Sequence, residues 1–190
     1  MEDSIDIVNL DAVPLQIENE LFTGLPLVSE ELDTRKLSPM RIRELVGEYS
    51  TVGIQITQEP NIGSGETTLT ENGDIKVIIP IIRPFGMDMV VIDELIHVEQ
   101  IIRGLRSGLT PKEIIDNPAQ NKVVAEIGAL EAQIKYWKQL PFSLKKQPAY
   151  LQAKKDAEDR LRGFKTKLPE GLNPNKDDLI NPYKRVIELR

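Results

Sequence analysis

The single histidine of this chain lies within the segment Val91-Ile92-Asp93-Glu94-Leu95-Ile96-His97-Val98-Glu99-Gln100. Apolar residues around it recur at alternating spacings of four and three, which predicts one helix from Met87 to Leu105. At 100° per residue, Asp93 lies about 40° from His97 around the helix axis and Glu94 about 60° away on the other side. The three polar side chains therefore share one face of the predicted helix. Its buried stripe comprises Val91, Leu95, Val98, Ile102 and Leu105.

A β-hairpin is predicted just before this helix. Two segments, 66–70 and 75–82, flank the sequence Glu71-Asn72-Gly73-Asp74, and an Asn-Gly pair accepts the positive φ of a tight turn. Pro80 has no N–H to donate, so we expect the second strand to be an edge strand at that end, or bulged there. An earlier strand is predicted where apolar residues alternate with polar or small ones, at Val52, Ile54 and Ile56.

Proline and capping residues mark the other helices. Ser38-Pro39 predicts a short helix that ends near residues 47–50, and Thr110-Pro111 predicts another that ends at Ile115. Asn117-Pro118 opens a long helix that closes before Pro141, and residues 148–163 form a further amphipathic helix. Because strands come first and helices follow, the predicted fold class is α+β.

Charge divides the chain into three predicted regions: an irregular acidic arm over residues 1–37, a core over 38–140, and a basic helical extension over 141–190 packed on the core. Residues 1–34 hold nine acidic side chains and no basic one, whereas residues 135–167 hold ten Lys or Arg against three acidic residues. We interpret the basic island as a solvated helix face docked against the acidic arm. No known nucleic-acid-binding motif accompanies its charges, so nucleic acid is not an expected partner.

Composition excludes several classes of protein. The chain has 190 residues, of which 40% are hydrophobic and 28% charged, as in ordinary soluble domains. Its apolar runs are far shorter than the roughly 20 residues of a membrane-spanning helix, and its N-terminus lacks a secretory signal, so we expect a cytoplasmic chain as given. The absence of Cys excludes disulfides and thiolate metal sites, and a single His excludes a three-His zinc site. Any metal must bind mainly carboxylates.

Residues 93–100 resemble the active-site helix of zincin metallopeptidases, whose motif is His-Glu-x-x-His, except that Asp93 stands where the first histidine belongs. The apolar strand at 75–82 resembles the substrate-aligning edge strand of that family. The later sequence Glu126-Ile127-Gly128-Ala129 is similar to the Glu-x-x-Ala pattern that supplies the third ligand in Glu-zincins. The resemblance covers roughly residues 50–140 and is strongest to small metallopeptidase domains at the ends of bacterial polymorphic toxins. It implies a zincin-like fold with a small antiparallel hairpin or sheet.

The resemblance also implies a set of site residues. His97 and Glu126 would be metal ligands, Asp93 a substitute ligand for the missing histidine, and Glu94 the general base. The cofactor would be a divalent metal, zinc first, with manganese or iron(II) as alternatives because oxygen ligands favour harder ions. Glu126 is preferred to Glu131, which lies about 140° away around the helix. Candidate oxyanion stabilisers are Tyr136, Tyr150 and Tyr183.

Two classes of function follow. The first is a metal-dependent peptidase-type hydrolase, weakened or inactive through Asp93, acting on a peptide or protein substrate. The second is a non-catalytic zincin-like scaffold that binds a protein partner; Asp93 also fits an inactivated variant, natural or engineered, of a His-Glu-x-x-His toxin peptidase. A toxin origin would imply delivery as part of a secreted protein and a cognate inhibitor or immunity protein. A di-iron carboxylate bundle needs two Glu-x-x-His pairs, and this chain has one.

Overall fold

A computed structural model of the chain describes Phe22 and residues 24–60, 64–81 and 87–183. Within these ranges the chain forms eight helices and one three-stranded sheet, which confirms the α+β class. The helices are α1 (Val28–Thr34), α2 (Pro39–Thr51), α3 (Met87–Arg106), α4 (Pro111–Ile115), α5 (Ala119–Gln139), α6 (Phe142–Lys145), α7 (Pro148–Lys165) and α8 (Lys176–Ile180). The strands are β1 (Gln55–Glu59), β2 (Glu66–Leu69) and β3 (Ile75–Pro80). None of the helices in these ranges is long and apolar enough to cross a bilayer.

The sheet is mixed, and its strand order is β1-β3-β2. The predicted hairpin is confirmed: β2 pairs antiparallel with β3, and Gly73 in the connecting turn has a φ of 92°. The expectation of a wholly antiparallel sheet is wrong, because β1 pairs with β3 in parallel. A strand as apolar as β3 is best buried between two neighbours, and its side chains Ile75, Val77 and Ile79 are buried.

The central place of β3 corrects its predicted role as the substrate-aligning edge strand. Pairing with β2 reaches only Ile78, so Pro80 has a partner on the β1 side alone and its missing N–H leaves no gap in the β2 ladder. Among the described residues, β2 has an unpaired outer edge. A ligand that adds a strand to the hairpin side of this sheet would therefore pair with β2.

Helix α3 is the centre of the molecule and matches the predicted helix within one residue. It packs against β3 and β2 on one side and against α5, α1 and α2 on others. The predicted apolar stripe is buried, but so are the acidic side chains Asp93, Glu94 and Glu99. Because α3 is buried on nearly every side, these acidic side chains lie in a low-dielectric environment.

Helix α1 lies inside the arm that was predicted to be irregular, so that prediction is wrong for Val28–Thr34, whereas residues 1–21 of the arm lie outside the described residues. Its residues Val28 and Leu32 join the main hydrophobic core. The buried carboxylate of Glu99 anchors it: the N–H of Ser29 donates to Glu99 Oε2 at 3.0 Å, and the Ser29 hydroxyl donates to Oε1. Arg103 Nε also donates to Glu99 Oε1, at 3.0 Å. Glu99 thus joins α1 to α3 on the face away from His97.

The C-terminal helices contact the preceding part of the chain through apolar side chains and through ion pairs. Helix α7 places Ala157, Leu161 and Phe164 against Leu130 and Ile134 of α5. Asp33, which ends the acidic run, forms ion pairs with Lys135 and Lys176 of the basic region. One continuous core cluster runs from Phe22 to Tyr183, and the boundaries at 37 and 140 stay predictions.

Candidate metal and catalytic site

The side chains of Asp93, Glu94, His97 and Glu126 line one cleft with a volume of about 330 Å³. Helix α3 supplies the first three, and Glu126 comes from the second turn of α5, which packs beside α3. The hairpin and α7 close the cleft on its remaining sides. The other lining residues are Gly65, Glu66, Thr67, Ile101, Ile114, Lys122, Ala125, Arg160 and Tyr183.

His97 faces Glu126 across this cleft. Its Nε2 lies 3.7 Å from Glu126 Oε1, and the two side chains retain 18% and 30% of their exposure. The other ring nitrogen, Nδ1, lies 3.0 Å from Oε1 of the buried Gln100. The imidazole therefore contacts Gln100 through Nδ1, whereas its Nε2 faces the cleft.

Asp93 is almost wholly buried, with 3% of its surface exposed. Its Oδ1 has no hydrogen-bond partner among the described residues, while Oδ2 lies 3.5 Å from Arg160 Nη1. Burial raises the pKa of this carboxyl, and the charges of His97 and Arg160 oppose that rise. A buried carboxylate oxygen without a partner is costly, and a cation in the cleft would satisfy it.

Glu94 is held against the hairpin. The Thr67 hydroxyl lies 2.7 Å from Glu94 Oε2, to which it donates, and Gly65 passes close to the carboxylate. Burial raises the pKa of Glu94 to about 7, although the Thr67 hydrogen bond works against that rise. A carboxyl group with this pKa exchanges protons near neutral pH, as a general base must.

Arg160 of α7 bridges the two carboxylates that were predicted to bind metal. Its Nη1 reaches Asp93 and its Nη2 lies 3.2 Å from Glu126 Oε2. Arg160 also lines a second cavity of about 550 Å³, together with Gly65, Asp93 and Glu94. The basic extension, which the zincin resemblance does not cover, therefore contributes a wall of the site.

The donor set fits a divalent cation in its chemistry. Two carboxylates and one imidazole border the cleft, and Asp93 Oδ1 offers a buried oxygen that nothing in the described chain satisfies. Their present spacing is wider, since no group of three or more His, Asp or Glu side chains within the described ranges is arranged to hold a metal. Arg160, already between Asp93 and Glu126, would have to release at least one of them.

Other candidates lie elsewhere. Glu131 accepts a hydrogen bond from Lys165 Nζ at 2.9 Å and does not line this cleft. Tyr136 and Tyr150 are buried and donate to Asp88, so neither is an oxyanion stabiliser in this arrangement. Tyr183 does line the cleft, and burial raises its pKa to about 12.

Four residues that contact the predicted side chains were not themselves predicted from the sequence: Gly65, Thr67, Gln100 and Arg160. Gln100 had a usable signal, because it lies three residues after His97 on the same helix. Thr67 lies at the second position of its strand and Arg160 on a highly charged helix. Neither pattern distinguishes a site residue from an ordinary surface residue.

Gly65 tests how tightly the hairpin holds Glu94. A Cβ at this position would lie 2.7 Å from Glu94 Oε1, so Gly65→Ala must displace the carboxylate. We expect a loss of about 1–2 kcal/mol in the free energy of unfolding, measured by urea denaturation. Gly47→Ala is the matched control, since a Cβ there meets nothing within 4 Å. Equal stability of the two variants would contradict the close packing of Gly65 on Glu94.

Comparison of the chain with protein-family models, with curated proteins and with solved structures finds no match. The resemblance to zincins therefore rests on the residues and motifs quoted above, and every role taken from it is a hypothesis about this chain.

Proposed function

We propose that this chain is a metal-dependent hydrolase of the peptidase type. Asp93, His97 and Glu126 would hold one divalent cation, zinc first with manganese or iron(II) as alternatives, and Glu94 would be the general base. The observation that carries the proposal is the convergence of all four side chains on one cleft beside a buried carboxylate oxygen that lacks a partner. Helices α3, α5 and α7 and the hairpin all contribute to the cleft, which is typical of a built site rather than of a charged helix face.

The proposed mechanism assigns each side chain a task. When bound, the cation supplies positive charge that polarises the scissile carbonyl and acidifies water. Glu94 accepts the proton of the attacking water at the oxygen that Thr67 does not hold, and later returns it to the leaving amine. The unpaired edge of β2 aligns an extended peptide beside Glu94 through main-chain hydrogen bonds.

Metal titration tests this proposal. We expect the protein purified without chelator to bind about one equivalent of zinc or manganese, and His97→Ala to lose it, because the imidazole is the site's only nitrogen ligand. Glu94→Gln should keep the metal and lose at least about a hundredfold in peptide hydrolysis. Isothermal titration calorimetry and a peptide-library assay measure the two effects. Failure of the wild type to bind either metal would refute the proposed site.

A second candidate function is a metal-free protein-binding scaffold. The Arg160 guanidinium favours it, because it already neutralises Asp93 and Glu126 without any metal. On this alternative the β2 edge would bind a protein partner without any metal, and a chelator would leave partner binding unchanged.

Replacement of Arg160 separates the two candidates. Arg160→Met keeps an unbranched aliphatic side chain but removes the positive charge that competes with a metal for Asp93 and Glu126. A true metal site should then bind zinc about tenfold more tightly. Arg162→Met is the matched control, because Arg162 lies on the same helix with its side chain 78% exposed. If both variants lack metal affinity, the scaffold function is the better account of the cleft.

A further inference from the structure

The amide of Gln100 is fixed in one orientation by two backbone carbonyls. Gln100 is 1% exposed, and its Nε2 donates to the oxygen of Ala125 at 3.0 Å and to the oxygen of Leu179 at 2.9 Å. Both amide hydrogens are therefore used. A flipped amide would set its oxygen against two carbonyl oxygens, so the Oε1 of Gln100 must be the atom that faces His97.

This orientation determines where His97 carries its proton. Gln100 Oε1 can only accept a hydrogen bond, and it lies 3.0 Å from His97 Nδ1. In the neutral imidazole one nitrogen carries hydrogen and the other a lone pair, so Nδ1 must be the protonated one. The lone pair is left on Nε2, which faces Glu126 Oε1 across 3.7 Å of the cleft.

Two acceptor atoms thus face each other across the cleft, and Arg160 Nη2 already donates to the other oxygen of Glu126 at 3.2 Å. A metal cation between the two acceptors would be attracted to both. A cation requires the lone pair of Nε2, and the contact with Gln100 makes that lone pair available without reorganisation of the ring.

Gly128 leaves room for the C-terminal segment to contact the amide of Gln100. A Cβ at Gly128 would lie 3.1 Å from Gln100 Nε2 and still closer to the oxygen of Leu179. The glycine therefore opens the space through which the Leu179 carbonyl at α8 reaches Gln100. Residues from α3, α5 and α8 meet at this one amide.

We propose that Gln100 is a positioning residue, which the carbonyls of Ala125 and Leu179 orient so that His97 is held as the Nδ1–H tautomer with Nε2 directed at the cleft. The tautomer depends only on contacts within this chain and does not require a bound metal. Its use for metal binding rests on the proposed function.

The chain has one histidine, so a single imidazole reports the tautomer. We would label histidine with ¹⁵N and record long-range proton–nitrogen spectra of the metal-free protein at a pH where the imidazole is neutral. The wild type should show His97 predominantly as Nδ1–H. Gln100→Leu should shift the population toward Nε2–H, because nothing then accepts from Nδ1. A wild-type spectrum dominated by Nε2–H would overturn the proposal without any variant.

Gln133→Leu is the matched control. Gln133 is also buried and its Nε2 donates to the carbonyl of Met89 at 2.8 Å, whereas the amide that contacts the His97 ring among the described residues is that of Gln100. Its replacement removes a comparable buried amide and should leave the His97 tautomer unchanged. An equal tautomer shift in both variants would show general loosening and overturn the specific role of Gln100. If Gln100→Leu does not fold, Gly128→Ala replaces it, since it displaces the Leu179 carbonyl.

Zinc titration of the same proteins separates this inference from the proposed function. Gln100→Leu should weaken zinc binding about tenfold to a hundredfold, whereas Gln133→Leu should not. A fixed Nδ1–H tautomer in a protein that binds no metal would support the positioning role and refute the metal site. Unchanged zinc affinity in Gln100→Leu, despite a shifted tautomer, would overturn the use of that tautomer for metal binding.

Discussion

Replacing Asp93 with histidine should raise the affinity for zinc on the order of a hundredfold, or about 2.7 kcal/mol. The change would give the proposed site two imidazoles and one carboxylate, the ligand set of many catalytic zinc sites, and would remove one negative charge from it. Asp93 borders cavities of about 330 and 550 Å³, so the larger ring has space on either side. It also loses its ion pair with Arg160, which then no longer competes there. Competition with a zinc chelator measures the affinity, and a peptide library measures hydrolysis.

Asp93→Asn is the matched control for this prediction. Asparagine has the size of aspartate but neither its charge nor an imidazole nitrogen, so zinc affinity should fall below that of the wild type. A histidine variant that binds zinc no better than the asparagine variant would contradict the inferred geometry. Tight zinc binding without cleavage of any peptide would support the metal site and count against the peptidase reaction.

Local sequence signals predicted five of the eight described helices, α2, α3, α4, α5 and α7, together with the hairpin. The period of apolar residues in α3, the Ser38-Pro39 start of α2 and the Thr110 capping box of α4 all act within one or two turns of chain. The Asn72-Gly73 pair acts over four residues in the same way. Such features can be predicted from the sequence because the residues that produce them lie close together in the chain.

The strand order was not predictable in this way. The parallel pairing of β1 with β3 places Gln55 beside Lys76, although β2 lies between the two strands in the sequence. No residue pattern within either strand specifies its neighbour. Helix α1 was missed because it is only seven residues long and its stability comes from Val28, Leu32 and the contact with Glu99. Tertiary packing, not local propensity, forms both features.

The candidate site also combines residues that local spacing brings together with partners that only tertiary packing supplies. Spacing on one helix placed Asp93, Glu94 and His97 together, and the structure places them so. The partners that determine their properties come from distant segments: Thr67 from the hairpin, Leu179 from α8 and Arg160 from α7. Burial raises the pKa of both Asp93 and Glu94, and that burial exists only after these segments pack on α3.

A second buried carboxylate, outside the cleft, supports the packing of α3 on the C-terminal helices. Asp88 is 1% exposed, and its Oδ2 accepts hydrogen bonds from the hydroxyls of Tyr136 on α5 and Tyr150 on α7, the latter at 2.9 Å. Burial raises its pKa above the ordinary value of 3.8, while the two hydroxyls oppose the rise. One carboxylate thus connects three helices.

Asp88→Ala should lower the free energy of unfolding by about 3 kcal/mol. The change leaves two buried tyrosine hydroxyls without their acceptor, and each such group costs about 1–3 kcal/mol. Asp88→Asn keeps one acceptor oxygen for the tyrosines but replaces the other, Oδ1, with an NH2 group that finds no acceptor among the described residues, so it should lose less stability than Asp88→Ala. Urea denaturation in the presence of chelator measures all three proteins. Equal losses in both variants would show that the charge, and not the acceptor, supports the packing.

The pH dependence of the same proteins gives the sign of the Asp88 effect. Because its pKa is raised on folding, the native state holds a proton that the unfolded state has released between pH 3.8 and the higher native value. The contribution of Asp88 is therefore fully present below pH 3.8 and is lost as the pH rises through that window. Asp88→Asn cannot titrate, so the stability of the wild type minus that of the variant should decrease with rising pH and then level off. Parallel stability profiles would show that Asp88 has the same pKa in both states and would remove burial as the source of its shift.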